Sequence, residues 1–143
     1  MNQASISSFS LASPGAAESL HFRAEWRLMR AGDVEMKLSD KEAQLSLATS
    51  GLVRAIYRVD DEYKATYDGG HCTSYSFLKA FEGSKQRETK NTFQQPPGKA
   101  TMVEFDLIKN EPVETKEIDV PPCVHDVISA LEKLRTLKLP AGK

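Results

Sequence analysis

The stretch Leu20-His21-Phe22-Arg23-Ala24-Glu25-Trp26-Arg27-Leu28-Met29 carries an apolar side chain at every second position. In an extended chain successive side chains point to opposite faces. Leu20, Phe22, Ala24, Trp26 and Leu28 would then share one face, and His21, Arg23, Glu25 and Arg27 the other. The segment reads as a half-buried strand. Such a face must be covered by another element or line a cavity, so the fold turns on where else this period returns.

It returns several times. Arg30-Ala31-Gly32-Asp33 reads as a turn, after which Val34, Met36 and Leu38 alternate with Glu35 and Lys37. Ser39-Asp40-Lys41-Glu42 reads as a second turn, followed by Leu45, Leu47 and Thr49 in a third strand. Consecutive strands with short polar connections predict an antiparallel meander. Leu52 to Tyr57 is too short to classify by period and reads as a helical turn or crossover. Alternation resumes from Val59 to Tyr67 and breaks at Asp68-Gly69-Gly70. It returns with Thr73, Tyr75, Phe77, Lys79 and Phe81 on one face. Aromatic residues on both faces of this middle region require strong twist. Arg87 to Gln94 reads as a polar strand suited to a sheet edge. Thr101, Val103, Phe105 and Leu107 form another apolar face, and Val113 to Val120 a charged last strand, about eight in all.

Pro121-Pro122 lead into a helical pattern at about residues 123–136. Val124, Val127, Ile128, Leu131 and Leu134 recur at spacings of three and four, so this stripe is expected on the sheet with Glu132, Lys133 and Arg135 in water. Leu137-Lys138-Leu139-Pro140 reads as the start of another strand. The expected fold class is mainly β: a curved antiparallel meander, half-barrel-like, packed on one C-terminal helix. At 143 residues the chain suits one domain, residues 18–143, behind a flexible Ser- and Ala-rich leader at residues 1–17.

Hydrophobic residues at 40% and charged residues at 27% match an ordinary globular chain. With 19 basic against 20 acidic side chains, no long-range field favours nucleic acid or an anionic membrane. No apolar run is long enough to span a bilayer, and residues 1–17 show no signal peptide as written.

Chemical constellations are few. His71, Cys72, Cys123 and His125 have the ligand types of tetrahedral zinc, but neighbours in an extended segment diverge, so no metal is expected. Cys72 and Cys123 allow one disulfide and read instead as two buried thiols. His125, Asp126 and Ser129 are the residue types of a hydrolase triad. On a regular helix they radiate without oxyanion donors, and Asp126 reads as a first-turn anion favoured by the helix dipole. Asp60-Asp61-Glu62 with Asp68 lacks the spacing of a calcium loop. No catalytic set and no cofactor are expected. The aromatic residues Phe22, Trp26, Tyr57, Tyr63, Tyr67, Phe77 and Phe81, with Tyr75, are either core or the lining of an apolar site. The first seven are the candidate ligand-facing residues.

Phe22-x-x-x-Trp26 with Ala31-Gly32, Ile56-Tyr57-x-Val59-Asp60, Tyr67-Asp68, Phe77 with Glu82-Gly83, and Val120-Pro121 leading to Asp126-Val127-Ile128-Ser129-Ala130-Leu131 and Leu134-Arg135 together resemble the bacterial domain-of-unknown-function family DUF3108. The resemblance runs from about Leu20 to Leu139 and implies a periplasmic or envelope protein with a long, curved antiparallel sheet like those of lipoprotein carriers. It supplies no functional residues. The family's domain continues with further strands, so a shortened C-terminus is expected here. The resulting expectation is a non-catalytic bacterial envelope protein that binds a hydrophobic ligand or a protein partner. The alternatives are an assembly module that pairs its sheet edges, giving homo-oligomers, and a hydrolase using His125 and Ser129.

Overall fold

The structure, a computed structural model, describes residues 17–138, 140 and 142. The expected leader lies outside the described residues except for Ala17. Eight strands form one sheet: β1 (Glu18–Trp26), β2 (Met29–Leu38), β3 (Glu42–Thr49), β4 (Val59–Asp68), β5 (Cys72–Glu82), β6 (Lys85–Gln94), β7 (Lys99–Asp106) and β8 (Glu111–Asp119). A short helix, α1 (Gly51–Ile56), joins β3 to β4, and α2 (Val127–Thr136) follows β8. Each strand pairs antiparallel with the next in sequence, so the sheet is an open meander with β1 and β8 as its edges. Bulges at Ala24/Glu25, Thr66/Tyr67 and Glu104/Phe105 bend three of the strands.

Several boundaries differ from the sequence reading. The first hairpin turns at Arg27-Leu28, with Trp26 paired to Met29, and not at Arg30 to Asp33. Gly32 lies inside β2, where a Cβ would stand 2.6 Å from the Ala48 carbonyl oxygen; close approach of β3, not a turn, calls for glycine there. Leu28 therefore leaves the apolar face and stands 99% exposed at the hairpin tip. The polar strand expected at an edge is β6, an interior strand between β5 and β7. Its polar residues meet polar neighbours: Arg87 pairs with Glu104, and Asn91 donates to the Ser76 hydroxyl at 3.1 Å. Among the described residues no strand follows α2.

Directly paired residues share a face, so the register defines rows across the sheet. On the front, which bears α2, one row reads Phe22, Val34, Leu47, Asp61, Ala80, Arg87, Asp106. The next reads Leu20, Met36, Leu45, Tyr63, Leu78, Thr89, Glu104. Both are largely apolar from β1 to β5 and polar beyond. A back row reads Ser19, Lys37, Gln44, Lys64, Phe77, Lys90, Val103, polar first and then mixed with apolar groups. The apolar side of the sheet thus changes face near β5. This accounts for aromatic residues on both sides of the middle region.

The core is small and sits under α2: Leu38, Ala43, Ala65, Tyr67 and Ile128, with Leu20, Met36, Leu45 and Tyr63 packed against it. Of the expected helical stripe only Ile128 is buried, while Val127, Leu131 and Leu134 are 78%, 52% and 49% exposed. Nor does the helix begin at 123. The Val124 carbonyl accepts from the Thr73 N–H at 2.7 Å, and Asp126 caps the first turn. That contact brings β5 beside the chain entering α2, and Cys72 and Cys123, with Cα atoms 5.1 Å apart, are joined in a disulfide. They are not the two free thiols expected.

Candidate ligand-binding face

The position of α2 is set by one carboxylate. Asp126 accepts the Ser129 N–H at 2.6 Å as an N-cap, and it also accepts the hydroxyls of Tyr63 and Tyr67 from β4. Its own N–H donates to the Thr73 hydroxyl at 3.0 Å. Tyr63 and Tyr67 fall four residues apart on the same side of β4, so both rings reach the helix start. Burial first, and then the Asp126 carboxylate, hold both phenols well above the usual tyrosine range. At the other end of α2, Arg135 donates to Glu18 of β1 at 2.9 Å. The helix therefore crosses the sheet from β4 and β5 to β1.

Ser129, fully buried, lies on the flank of α2 that meets His125 and the Gly69–His71 turn. Val127, Leu131 and Leu134 lie roughly 160° round the helix on its exposed side, and α2 leaves the middle of the front face uncovered. There Phe22, Val34, Leu45, Leu47 and Leu78 make an apolar floor. Its boundary is sharp. One step past Ala80 stands Arg87, ion-paired with Glu104. Asp61 enters the floor from β4, accepting the Phe81 N–H at 3.1 Å, and burial raises its pKa, with Glu82 adding to the effect. The face can hold an extended apolar molecule between a helix flank and a charged margin, with one carboxyl group inside the apolar field.

The candidate ligand-facing residues do not form one surface. Phe22, Tyr63 and Tyr67 lie on the front, with Tyr67 buried beneath α2. Phe77 and Phe81 lie on the back, as does Tyr75. Trp26 and Tyr57 stand about half exposed at the end of the sheet away from α2. Phe81 borders a back depression of about 350 Å³ that Arg54, Arg58, Asp60 and Lys79 also line. In it, hydrogen bonds from Arg54 and then Arg58 hold the Asp60 carboxyl down to about 2.

The other constellations come partly together without forming a site: His125 lies 3.6 Å from the Cys123 sulfur and 3.4 Å from the Ser129 hydroxyl. Both thiols of the zinc-like set are consumed by the disulfide, and His125 Nδ1 lies 2.9 Å from the His71 carbonyl oxygen. Among the described residues no group of three or more His, Cys, Asp or Glu is placed to hold a metal ion. Asp126 faces the two tyrosines and not His125, and Ser129 is inaccessible. Asp60 is bound by two arginines on the back, whereas Asp61 faces the front. The tyrosine clasp was missed in the sequence because its partners lie 63 and 59 residues apart.

Fold and face define an open antiparallel meander with a helix latched across one end and an apolar field beside it. The model of the family described as protein of unknown function DUF3108 matches residues 21–143, and the chain belongs to that family. No curated protein and no solved structure matches it. Among the described residues no helix is long and apolar enough to cross a membrane.

Proposed function

We propose that this chain is a non-catalytic protein of the bacterial cell envelope that holds a hydrophobic ligand on the part of the front face left open by α2. The observation that carries the reading is the two-row apolar field of β1 to β5, which ends at Arg87 and Glu104. Phe22, Val34, Leu45 and Leu47 are half-buried and Leu78 is 37% exposed, so the field is apolar yet open to a ligand. The disulfide supports an oxidising compartment and so an envelope location. Pairing through sheet edges has less support, because β8 carries Pro112 and the charges Glu111, Glu114, Lys116, Glu117 and Asp119, all of which discourage strand addition.

The test is solvent extraction of the purified protein followed by mass spectrometry, with displacement of an environment-sensitive naphthalene probe. A co-purifying acyl or other apolar compound is expected, and Leu47→Asp should weaken probe binding about tenfold, the effect of a charge set in an apolar contact. An extract empty of apolar compounds, together with probe binding unchanged by Leu47→Asp, refutes the reading.

A further inference from the structure

The two ends of the sheet are unlike. At the end near α2 the connections are residues 39–41, Gly69–His71 and residues 95–98, which contain no large apolar side chain. At the far end, the first hairpin presents Trp26, Leu28 and Met29, and α1 with the residue after it presents Leu52, Ile56 and Tyr57, all exposed. These groups form one corner. The Ser50 N–H donates to the Ala31 carbonyl at 2.9 Å, which places the start of α1 against β2 two residues beyond Met29. The Tyr57 ring packs over Gly83 at the next turn.

Folding stability does not explain the tip. Arg27 and Leu28 have φ of 49° and 64°, a left-handed pair that two-residue hairpins usually fill with Asn and Gly. A branched side chain there is disfavoured, and Leu28, almost wholly exposed, recovers nothing through burial. The corner is also rich in arginine. Arg27 lies over the Trp26 ring at 4.9 Å, Arg30 is paired with Asp33, and Arg54 and Arg58 share Asp60. Four arginines thus stand against Glu25, Asp33 and Asp60. Toward β8 the rim turns acidic, with Glu82, Asp106 and Glu111 against Lys85 and Lys109.

We propose that this corner is a contact site for the surface of an anionic lipid bilayer. Leu28 and Ile56 enter the hydrocarbon margin, Trp26 and Tyr57 sit at headgroup depth, and Arg27 meets lipid phosphate. Leu28 and Ile56, 99% and 86% exposed, stand out on a turn tip and at the end of a short helix, which suits a yielding flat surface better than a preformed protein pocket. Aromatic residues beside aliphatic tips with excess arginine match the chemistry of the bilayer interface. The proposal rests on exposed turn and helix residues, and not on the floor residues Phe22, Val34, Leu45, Leu47 and Leu78 of the ligand face.

Trp26 is the chain's single tryptophan, so the contact reports on itself. The full chain is mixed with vesicles of phosphatidylglycerol and phosphatidylethanolamine, and then with vesicles of phosphatidylcholine alone. Trp26 emission should shift to the blue and be quenched by acyl-brominated lipid, with partitioning several-fold stronger on the anionic vesicles. Leu28→Asn with Ile56→Asn should cut partitioning about thirtyfold, since two aliphatic insertions are lost. Both positions are exposed and asparagine suits a positive φ at 28, so the fold is kept, which circular dichroism checks. Emission unmoved by either vesicle, or partitioning unchanged in the double variant, overturns the proposal.

Discussion

Replacing Asp126 by alanine removes the group on which the helix and β4 converge. The carboxylate accepts the Ser129 N–H at 2.6 Å, the Tyr67 hydroxyl at 3.2 Å and the Tyr63 hydroxyl. Loss of the N-cap costs about 1 kcal/mol. Hydrogen bonds to a charged acceptor contribute about 1.5 to 3 kcal/mol each, and the lower figure is taken for each phenol as a minimum. The sum is about 4 kcal/mol, a large share of the roughly 5 to 15 kcal/mol by which domains are stable. Asparagine caps a helix as well as aspartate does and still accepts hydrogen bonds, so Asp126→Asn should lose only about half as much. Urea unfolding with the disulfide intact, followed by circular dichroism, measures both. If Asp126→Ala stays within about 0.5 kcal/mol of the parent, the clasp does not hold α2 and the reasoning fails.

The same clasp predicts a pH dependence. Because the folded chain keeps Tyr63 and Tyr67 protonated while unfolded phenols ionise near pH 10, the clasp's stabilising effect is complete below about pH 10 and lost as pH rises beyond it. The urea midpoint should fall over that range, and it should fall less steeply in a Tyr63→Phe, Tyr67→Phe double variant; equal slopes would contradict the assignment. The disulfide closes a loop of sequence separation 51, for which chain entropy gives about 4 kcal/mol. Cys123→Ser should lower the unfolding free energy by up to that amount, and thiol titration of the oxidised parent should find Cys72 and Cys123 unreactive.

The small core gives these contacts their weight. Among the described residues the buried cluster is four residues beneath α2 and Ile128 of α2 itself, so the clasp, the disulfide and the Arg135 pair with Glu18 hold a helix that apolar packing secures at Ile128. This also leaves Val127, Leu131 and Leu134 exposed on the outer side of α2. Polar latching at one end and apolar exposure beside it are two consequences of one helix orientation.

Periodicity two over Leu20 to Trp26, Val34 to Leu38 and Val59 to Tyr67 was enough to establish an antiparallel meander. Alternation is a property of a few adjacent residues, and short polar connections leave little freedom in how consecutive strands pair. Gly32 reads as a turn residue because a glycine demanded by a close backbone looks, in sequence, like one demanded by a turn. β6 reads as an edge because a strand lying where the sheet changes its apolar side is as polar as an edge. What only the tertiary structure decided is which residues stand together: Asp126 with Tyr63 and Tyr67, Cys72 with Cys123, Leu28 near α1. Those pairings follow from register, twist and the path of the chain between distant segments, and no local period records the distance between them.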